Sequence, residues 1–413
     1  MPRAAAPAAR RKPRQYPLEY NLLLTVTLCL LAAGAVMVYS ASSARTLLQG
    51  QGDGTTYLVR YVLYGAVGFG ALHVLSRRGL AAIATYAGPL LAISFGLLVA
   101  VKLPGIGVSV NGARRWLGAG PLQFQPSELM KLALVLYAAG VIAQKPKIVT
   151  KPKQLVPIGV MVGAACVLIA SQPDLGTALV IAFTTSAILV AAGMPVRYLG
   201  VVFGVGFLLV ALYAISAPYR RARITSFLDP WAHAGTTGFQ SVQGQIALGS
   251  GGLFGKGPGG STQKLFFLPE AHTDFILAII GEELGVAGVL TVLTLYGMFA
   301  YAGLRIAQKA VGTHAKLLAA GLTSLVLCQA SLNAFAVLGL APLTGVPLPF
   351  ISYGSTNLIV LLASVGLLLN IAATRGSQLK VVAGSRDRES AHRSRGNSGA
   401  RGARAGSRRR AAG

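Results

Sequence analysis

The sequence has few charged residues and especially few acids. Charged residues make up 12% of the 413-residue chain, and 11 Asp and Glu stand against 37 Lys and Arg. A soluble domain of average composition carries about 25% charge, so this deficit argues against a soluble enzyme, a disordered chain or a nucleic-acid-binding domain. The three cysteines, Cys29, Cys166 and Cys328, each lie in an apolar run, which predicts no Cys/His metal site. Hydrophobic residues make up 54% of the chain, which indicates an integral membrane protein.

Long apolar runs predict the fold class, an all-α integral membrane protein with ten transmembrane helices. A helix needs about 20 mainly apolar residues to cross the hydrocarbon core. The N-terminal apolar run is too long for a usual signal peptide, so we interpret it as a retained first helix. The predicted spans are 20–42, 57–75, 80–102, 127–144, 155–171, 175–194, 198–217, 274–304, 315–342 and 350–373.

Basic residues predict the orientation. With both termini cytoplasmic, the inward loops hold Lys and Arg but no acid, as the positive-inside rule expects. Both basic tails predict attraction to anionic membrane lipid, and no nucleic acid is expected as a partner. The chain then divides into a basic cytoplasmic tail at 1–19, a membrane domain at 20–374 with a large outer loop at 218–273 between spans 7 and 8, and a basic disordered cytoplasmic tail at 375–413.

The outer segments hold most of the acids, so any chemistry is expected to face outward. Glu270, His272 and Asp274 cluster where the large loop returns to the eighth span. A carboxylate placed between lipid and water can act as a general base. Alternatively, Thr273 or Asp274 simply caps the helix.

Two adjacent carboxylates, Glu282 and Glu283, fall about 12 Å deeper than Asp274 at 1.5 Å per helical residue. Ionisable side chains at membrane depth are costly and need partners. The pair therefore forms either a structural polar network or a relay for protons or substrate.

The start of the fourth span offers a second site at the outer surface. Ser127 is predicted to cap this helix, with Glu128 in its first turn. Lys131 then either pairs with Glu128 at i,i+3 or, together with Arg115, holds a diphosphate, since guanidinium groups match phosphate oxygens.

Further outward cations and polar residues surround these groups. Arg220, Arg221 and Arg223 either touch lipid headgroups or bind substrate, and Asp174 lies on the outer rim. The Pro347–Ser355 run, which contains Ser352, is typical of a broken helix entrance. Carboxylates beside cations at headgroup depth suit an amphipathic substrate with an anionic head, and equally a transporter with an ion relay. Composition and spacing leave both open.

Six motifs occur in an order that resembles the SEDS family (shape, elongation, division and sporulation) over about residues 20–374. Within that family the chain is more similar to division members than to elongation members, although Pro258 departs from the expected leucine. The motifs are Asn111–Trp116, Gln125–Glu128, Gln172–Thr177, Leu268–Phe275, Glu282–Gly285 and Pro347–Gly354.

The resemblance implies a peptidoglycan glycosyltransferase that polymerises lipid II on the outer face of the bacterial cytoplasmic membrane, without a required cofactor, although Mg or Mn is conceivable. It implies as partners a class B penicillin-binding protein, which is a transpeptidase, and other division proteins. A lipid II flippase and an elongation polymerase are the alternatives. By motif position Asp274 is the expected catalytic carboxylate. The expected substrate-binding residues are Arg115, Lys131, Glu128, Arg220, Arg221, Arg223, Lys264, Glu270, His272, Asp174 and Ser352.

Overall fold

The computed structural model describes residues 16–50, 53–110, 112–119, 122–215, 218–265 and 267–374. Helices dominate this part, as expected where lipid offers the backbone no hydrogen-bond partner. Apart from residues 16–19, the two predicted tails lie outside the described residues. The helices are α1 (Leu18–Leu48), α2 (Thr56–Arg77), α3 (Leu80–Thr85), α4 (Ala87–Ala100), α5 (Pro126–Gln144), α6 (Pro152–Ala170), α7 (Leu175–Ala191), α8 (Val196–Ile215), α9 (Pro218–Leu228), α10 (Phe239–Ser250), α11 (Ile276–Lys309), α12 (Thr313–Val337) and α13 (Ser355–Thr374).

Each predicted span overlaps a helix. Among the described residues, eight helices are long and apolar enough to cross a membrane, and α4 and α7 are shorter apolar helices. The count of ten spans therefore stays a prediction. The predicted span 80–102 is divided, because a turn at Tyr86 separates α3 from α4.

The bundle is built around α11, α12 and α13. Helix α11 packs against α1, α10 and α12, while α12 also packs against α5 and α7. Most of α13 is buried inside the bundle. The apolar side chains of α8 are mostly exposed, as expected of a helix that faces lipid.

The outer segments contain regular structure beyond the ten predicted spans. A three-stranded antiparallel sheet connects α4 to α5, and its strands are β1 (Gly107–Val110), β2 (Ala113–Ala119) and β3 (Leu122–Phe124). The large outer loop holds α9 and α10, and α10 packs against α11. The loop is thereby fixed to the helix that follows the acidic cluster.

Helix α11 is interrupted at Gly285, where φ is 68° and ψ is −165°. The outer-loop segment 252–257 lies across this break, and the Val286 amide donates a hydrogen bond to the Gly252 carbonyl at 3.0 Å. A Cβ at Gly285 would come within 2.5 Å of the Gly255 nitrogen, and the positive φ is unfavourable for other residues. Glycine is therefore required at this crossing.

Candidate active site

The segment that carries Asp274 is a turn directly before α11. The amides of Thr273 and Phe275 both donate to the Glu270 carbonyl, at 3.1 and 3.4 Å, and Glu270 has a positive φ of 54°. Phe275 is the N-cap residue of α11, and no side chain caps this helix. The alternative of a Thr273 or Asp274 cap is therefore wrong, and the Asp274 carboxylate is not used at the helix end.

Asp274 and Glu270 have a common neighbouring hydroxyl. The oxygen Oγ1 of Thr273 lies 3.2 Å from Asp274 Oδ1 and 3.0 Å from Glu270 Oε2, and it can donate to one of them at a time. The pKa of Asp274 is raised to about 7, chiefly by burial and then by the Glu270 charge. Hydrogen bonds from its own backbone and from Thr273, and the charge of Arg223, oppose this rise. A carboxylate with such a pKa can take up a proton near neutral pH, as a general base must.

His272 packs among aromatic side chains. Its ring centroid lies 4.5 Å from that of Tyr57 and 5.8 Å from that of Tyr353, whose amide donates to the His272 carbonyl at 3.0 Å. Burial lowers the pKa of His272 to about 4, against the opposing charge of Glu270, so the imidazole is neutral. A cavity of about 130 Å³ has His272 and Arg45 in its wall.

Asn333 of α12 connects the Asp274 turn to the irregular segment 341–354. Its Nδ2 donates to the Asp274 carbonyl at 2.7 Å and to the Val346 carbonyl at 2.8 Å. Gly345 lies beside the carboxylate, since a Cβ built there would be 3.9 Å from Asp274 Oδ2. These elements enclose the turn on the side of α12.

Residues 341–354 form no helix, in agreement with the broken entrance predicted at Pro347–Ser355. Ser352 is buried, and its Oγ accepts a hydrogen bond from the Leu348 amide at 2.8 Å. The hydroxyl thus stabilises this irregular segment. Contact between Ser352 and substrate stays a prediction.

On α5, Lys131 Nζ lies 2.8 Å from Glu128 Oε2, so the predicted i,i+3 pair is confirmed. Both side chains are buried. Lys131 also donates to Gln329 Oε1 at 2.9 Å, and Asn357 Nδ2 donates to Glu128 Oε2 at 3.0 Å. The pair lies within the protein interior, and a diphosphate contact by Lys131 stays a prediction.

Asp174 joins the starts of α5 and α7. Its carboxylate caps α7 by accepting from the Thr177 amide at 3.1 Å, and it accepts from the Gln125 side chain at 3.2 Å. Ser127 Oγ lies 3.5 Å from the same carboxylate. The predicted Ser127 cap is wrong, because Gln125 is the N-cap residue of α5 and no side chain caps that helix.

The predicted arginines differ in their contacts. Arg115, on β2, donates from Nε to the Gln172 carbonyl at 2.9 Å and so ties the sheet to the start of α7. Arg221 and Arg223 are exposed on α9. Arg220 belongs to the same helix, but its side chain lies outside the described residues.

The contacts of Glu282 and Glu283 favour a structural polar network over a relay for protons or substrate. Glu282 Oε1 lies 2.7 Å from Lys256 Nζ, and Glu283 Oε1 lies 2.8 Å from Lys264 Nζ. Ser40 of α1 donates to Glu283 at 2.7 Å and accepts from Lys264 at 3.1 Å. A backbone carbonyl, 2.8 Å away, accepts the third bond of Lys264. Lys264, predicted to bind substrate, therefore has an acceptor for each of its three N–H groups.

Metal binding is not indicated among the described residues, which contain no group of three or more His, Cys, Asp or Glu side chains able to hold an ion. The sequence requires no metal at this site, and whether a divalent ion such as Mg or Mn takes part is not tested.

Sequence reasoning did not identify four neighbours of these residues. Gln329 and Asn333 are amides inside an apolar span, and that position is the signal that could have indicated them, because buried polar groups need partners. Gly345 and Tyr57 approach the turn only through tertiary packing, for which the local sequence gives no signal.

Comparison with known proteins identifies relatives along most of the chain. The FtsW/RodA/SpoVE family model, described as "Cell cycle protein", matches residues 20–377. Stage V sporulation protein E of Bacillus subtilis (strain 168) is 40% identical over 355 residues, which cover 85% of this chain and 96% of the relative. A Geobacter sulfurreducens protein named "Probable peptidoglycan glycosyltransferase FtsW" is 39% identical over 356 residues, which cover 86% of this chain and 95% of the relative.

Solved structures also match at 28% identity. One chain, described under "Structural coordination of polymerization and crosslinking by a peptidoglycan synthase complex", gives a TM-score of 0.72 over 87% of this chain and 98% of its own length. The rod shape determining protein RodA of Thermus thermophilus gives a TM-score of 0.64 over 87% of this chain and 97% of its own.

Proposed function

The chain belongs to the FtsW/RodA/SpoVE family and is a multi-pass peptidoglycan glycosyltransferase, and from this premise we propose that it polymerises lipid II into β-1,4 glycan strands with Asp274 as general base. The reaction takes place at the outer face of the cytoplasmic membrane. The predicted topology has its basic loops on the cytoplasmic side and therefore the Asp274 turn on the outer side.

The protonation state of Asp274 carries this proposal. Its carboxylate is half-buried beside Glu270 and Thr273, with a pKa raised to about 7. The described ion pairs do not include it. A carboxylate held in this state can accept a proton from a substrate hydroxyl during the reaction.

One displacement is sufficient for the chemistry. Asp274 takes the proton from the 4-hydroxyl of the acceptor's N-acetylglucosamine, and that oxygen forms a bond to C1 of the donor's N-acetylmuramic acid. The bond between C1 and the diphosphate oxygen breaks, and polyprenyl diphosphate leaves with the electron pair. An α-linked donor gives a β-linked product by inversion, so one base is enough and no covalent intermediate is needed.

Cations near the turn stabilise the charge that develops on the diphosphate. Arg221 and Arg223 are exposed on α9, and the charge of Arg223 acts on Asp274, while Arg115 holds the neighbouring sheet through its Nε. Lys131 and Lys264 hold the surrounding helices through their ion pairs. The leaving group is stable enough as an anion to need no general acid.

The partner in this proposal is a class B penicillin-binding protein that crosslinks the new strands. Support comes from the structural match to a chain of a peptidoglycan synthase complex. Relatives named FtsW favour a role in septal synthesis, with RodA-type elongation as the alternative. A fluorescent fusion located at the septum, and not along the side wall, would separate these two roles.

A lipid II flippase is the alternative from another class, and it has less support. A relay needs carboxylates that can exchange partners, whereas Glu282, Glu283 and Glu128 each lie within 2.8 Å of a lysine. The ion pairs of these three glutamates are those expected of a structural network, in which the partners do not exchange.

The test is polymerisation of lipid II by the purified full chain with its transpeptidase partner. Asp274→Asn is expected to lower the rate by about 10²–10⁴-fold, the usual contribution of a general base. The matched control is Asp229→Asn, which changes an exposed aspartate of the same outer loop and is expected to keep the rate. Substantial polymer from Asp274→Asn would reject the assignment of the base. Absence of polymer from the folded, partner-bound wild type would favour transport, which a flipping assay then measures.

A further inference from the structure

Two carboxamides on α12 lie one helical turn apart and connect the Asp274 turn with the interior of the bundle. Gln329 and Asn333 are 0% and 1% exposed. Asn333 Nδ2 donates to the carbonyls of Asp274 and Val346, and Gln329 Nε2 donates to the Pro347 carbonyl at 3.0 Å. Because all three acceptors are carbonyl oxygens, the orientation of both amides is fixed.

The polar chain continues from Gln329 into α5 and α13. Its Oε1 accepts from Lys131, which pairs with Glu128, and Asn357 of α13 donates to that glutamate. Four groups from three helices thereby support the segment that encloses Asp274. The donors of both amides are bonded, whereas the buried Oδ1 of Asn333 has no hydrogen-bond partner among the described residues, so Asn333 acts through its Nδ2 alone.

The Asp274 backbone needs such support, because it precedes α11 and lies in the turn anchored on the Glu270 carbonyl. A shift of its carbonyl would move the carboxylate as well. We propose that Asn333 is a positioning residue of the polymerase reaction, holding the Asp274 carboxylate in line with the acceptor hydroxyl; this rests on the proposed role of Asp274. Asn333 is too deeply buried to touch substrate, so it acts on the rate through Asp274.

The expected effect follows from that geometry. A misplacement of about 1 Å can lower a catalysed rate by about 10²-fold. Asn333→Leu removes the donor and keeps the approximate size, so kcat is expected to fall by about 10²-fold while KM for lipid II stays unchanged. Loss of a folded fraction would also lower the apparent kcat at an unchanged KM, so kcat is calculated per folded, partner-bound enzyme and compared with a control that loses the same kind of hydrogen bonds.

Asn370 provides a matched control in the same chain. It is 5% exposed on α13, and its Nδ2 donates to the carbonyls of Leu75, at 2.7 Å, and Arg78. It lies about 22 Å along α13 from Ser355, at 1.5 Å per residue, toward the opposite end of the bundle. Asn370→Leu removes an equivalent pair of hydrogen bonds and is expected to lower thermal stability as Asn333→Leu does, with kcat retained.

The experiment measures kcat, KM and melting temperature for the full chain in nanodiscs with its transpeptidase partner and purified lipid II. Asn333→Gln is included because it keeps the donor and displaces it by one methylene, so it should fold and still show a lowered kcat. Wild-type kcat in folded Asn333→Gln, or equal losses of kcat in Asn333→Leu and Asn370→Leu, would overturn the positioning role. Polymerisation that survives Asp274→Asn would instead overturn the proposed base, so the two failures are distinguishable.

Discussion

Two acidic regions of this protein lie close together along α11 and differ in how their charges are compensated. Glu282 and Glu283 each have a lysine nitrogen within 2.8 Å, and hydroxyl groups donate to both. Asp274 has a threonine hydroxyl at 3.2 Å and the carboxylate of Glu270 as its neighbours. Both regions are at least partly buried, but only the two glutamates have a lysine nitrogen in direct contact among the described ion pairs.

This difference is the physical basis for proposing a structural role for the glutamates and a chemical role for Asp274. A carboxylate that is fully paired is held in its charged form and cannot readily exchange a proton. A carboxylate that is buried beside another acid stays close to its titration point near neutral pH. Buried acids within membrane helices are therefore informative about function only when their partners are counted.

Breaking the paired region should give the largest change in stability. Lys264→Met leaves Glu283 charged and uncompensated inside the protein, which destabilises a fold by about 3–5 kcal/mol. The free energy of unfolding in detergent is the measurement, with Lys316→Met, at an exposed lysine, as control. Recovery of stability in the double variant Lys264→Met with Glu283→Gln is expected, because no buried charge is then left alone. An unchanged free energy in the single variant would show that the pair is dispensable.

Neutralising Asp274 should change stability in the opposite direction. The pKa of Asp274 is raised from 3.8 to about 7, so ionisation destabilises the fold as pH rises through this window and remains fully unfavourable above it. Asp274→Asn removes this penalty, and at pH 8 it is expected to raise the free energy of unfolding by on the order of 1–3 kcal/mol, discounted for partial exposure. The difference should shrink as pH falls from 7 toward 4 and vanish only below the unfolded-state pKa of 3.8, where the acid is protonated in both states. A destabilised Asp274→Asn protein at pH 8 would contradict the contrast between the two regions.

The sequence predicted the positions of these acids better than their partners. Apolar runs located the helices, and the i,i+3 spacing of Glu128 and Lys131 gave a correct pair because both lie on one helix face. The lysine partners of the two glutamates could not be predicted, since Lys256 and Lys264 reach them through a loop that crosses the break at Gly285.

The sequence predicted which residues belong to the candidate site, but it did not predict their positions relative to one another. The cluster of three ionisable groups before the eighth span was correctly placed at a helix start, but two predicted caps were wrong. Capping depends on which residue occupies the N-cap position, and the N-cap residue of α11 is Phe275, whose side chain cannot accept a hydrogen bond. Contacts such as those of Asn333 and Gly345 join segments far apart in sequence, so they need the tertiary structure.

The smallest effect, and the most specific to the Asp274 turn, is expected from Glu270, its second carboxylate. The proposed general base is the deprotonated form of Asp274, and this proposal predicts that the wild-type rate falls about tenfold per pH unit below a pH of about 7. Glu270→Gln removes a negative charge that raises the pKa of Asp274, while Arg223 and Thr273 still lower it, so this acid limb should move to lower pH. The measurement is the pH profile of kcat, with Glu19→Gln, at the far end of α1, as a charge-matched control that leaves the limb in place. An acid limb that stays fixed in Glu270→Gln would mean that the Glu270 charge does not raise the pKa of Asp274, and a limb that moves upward would mean that Glu270 lowers it; either result would contradict the proposed role of the second carboxylate.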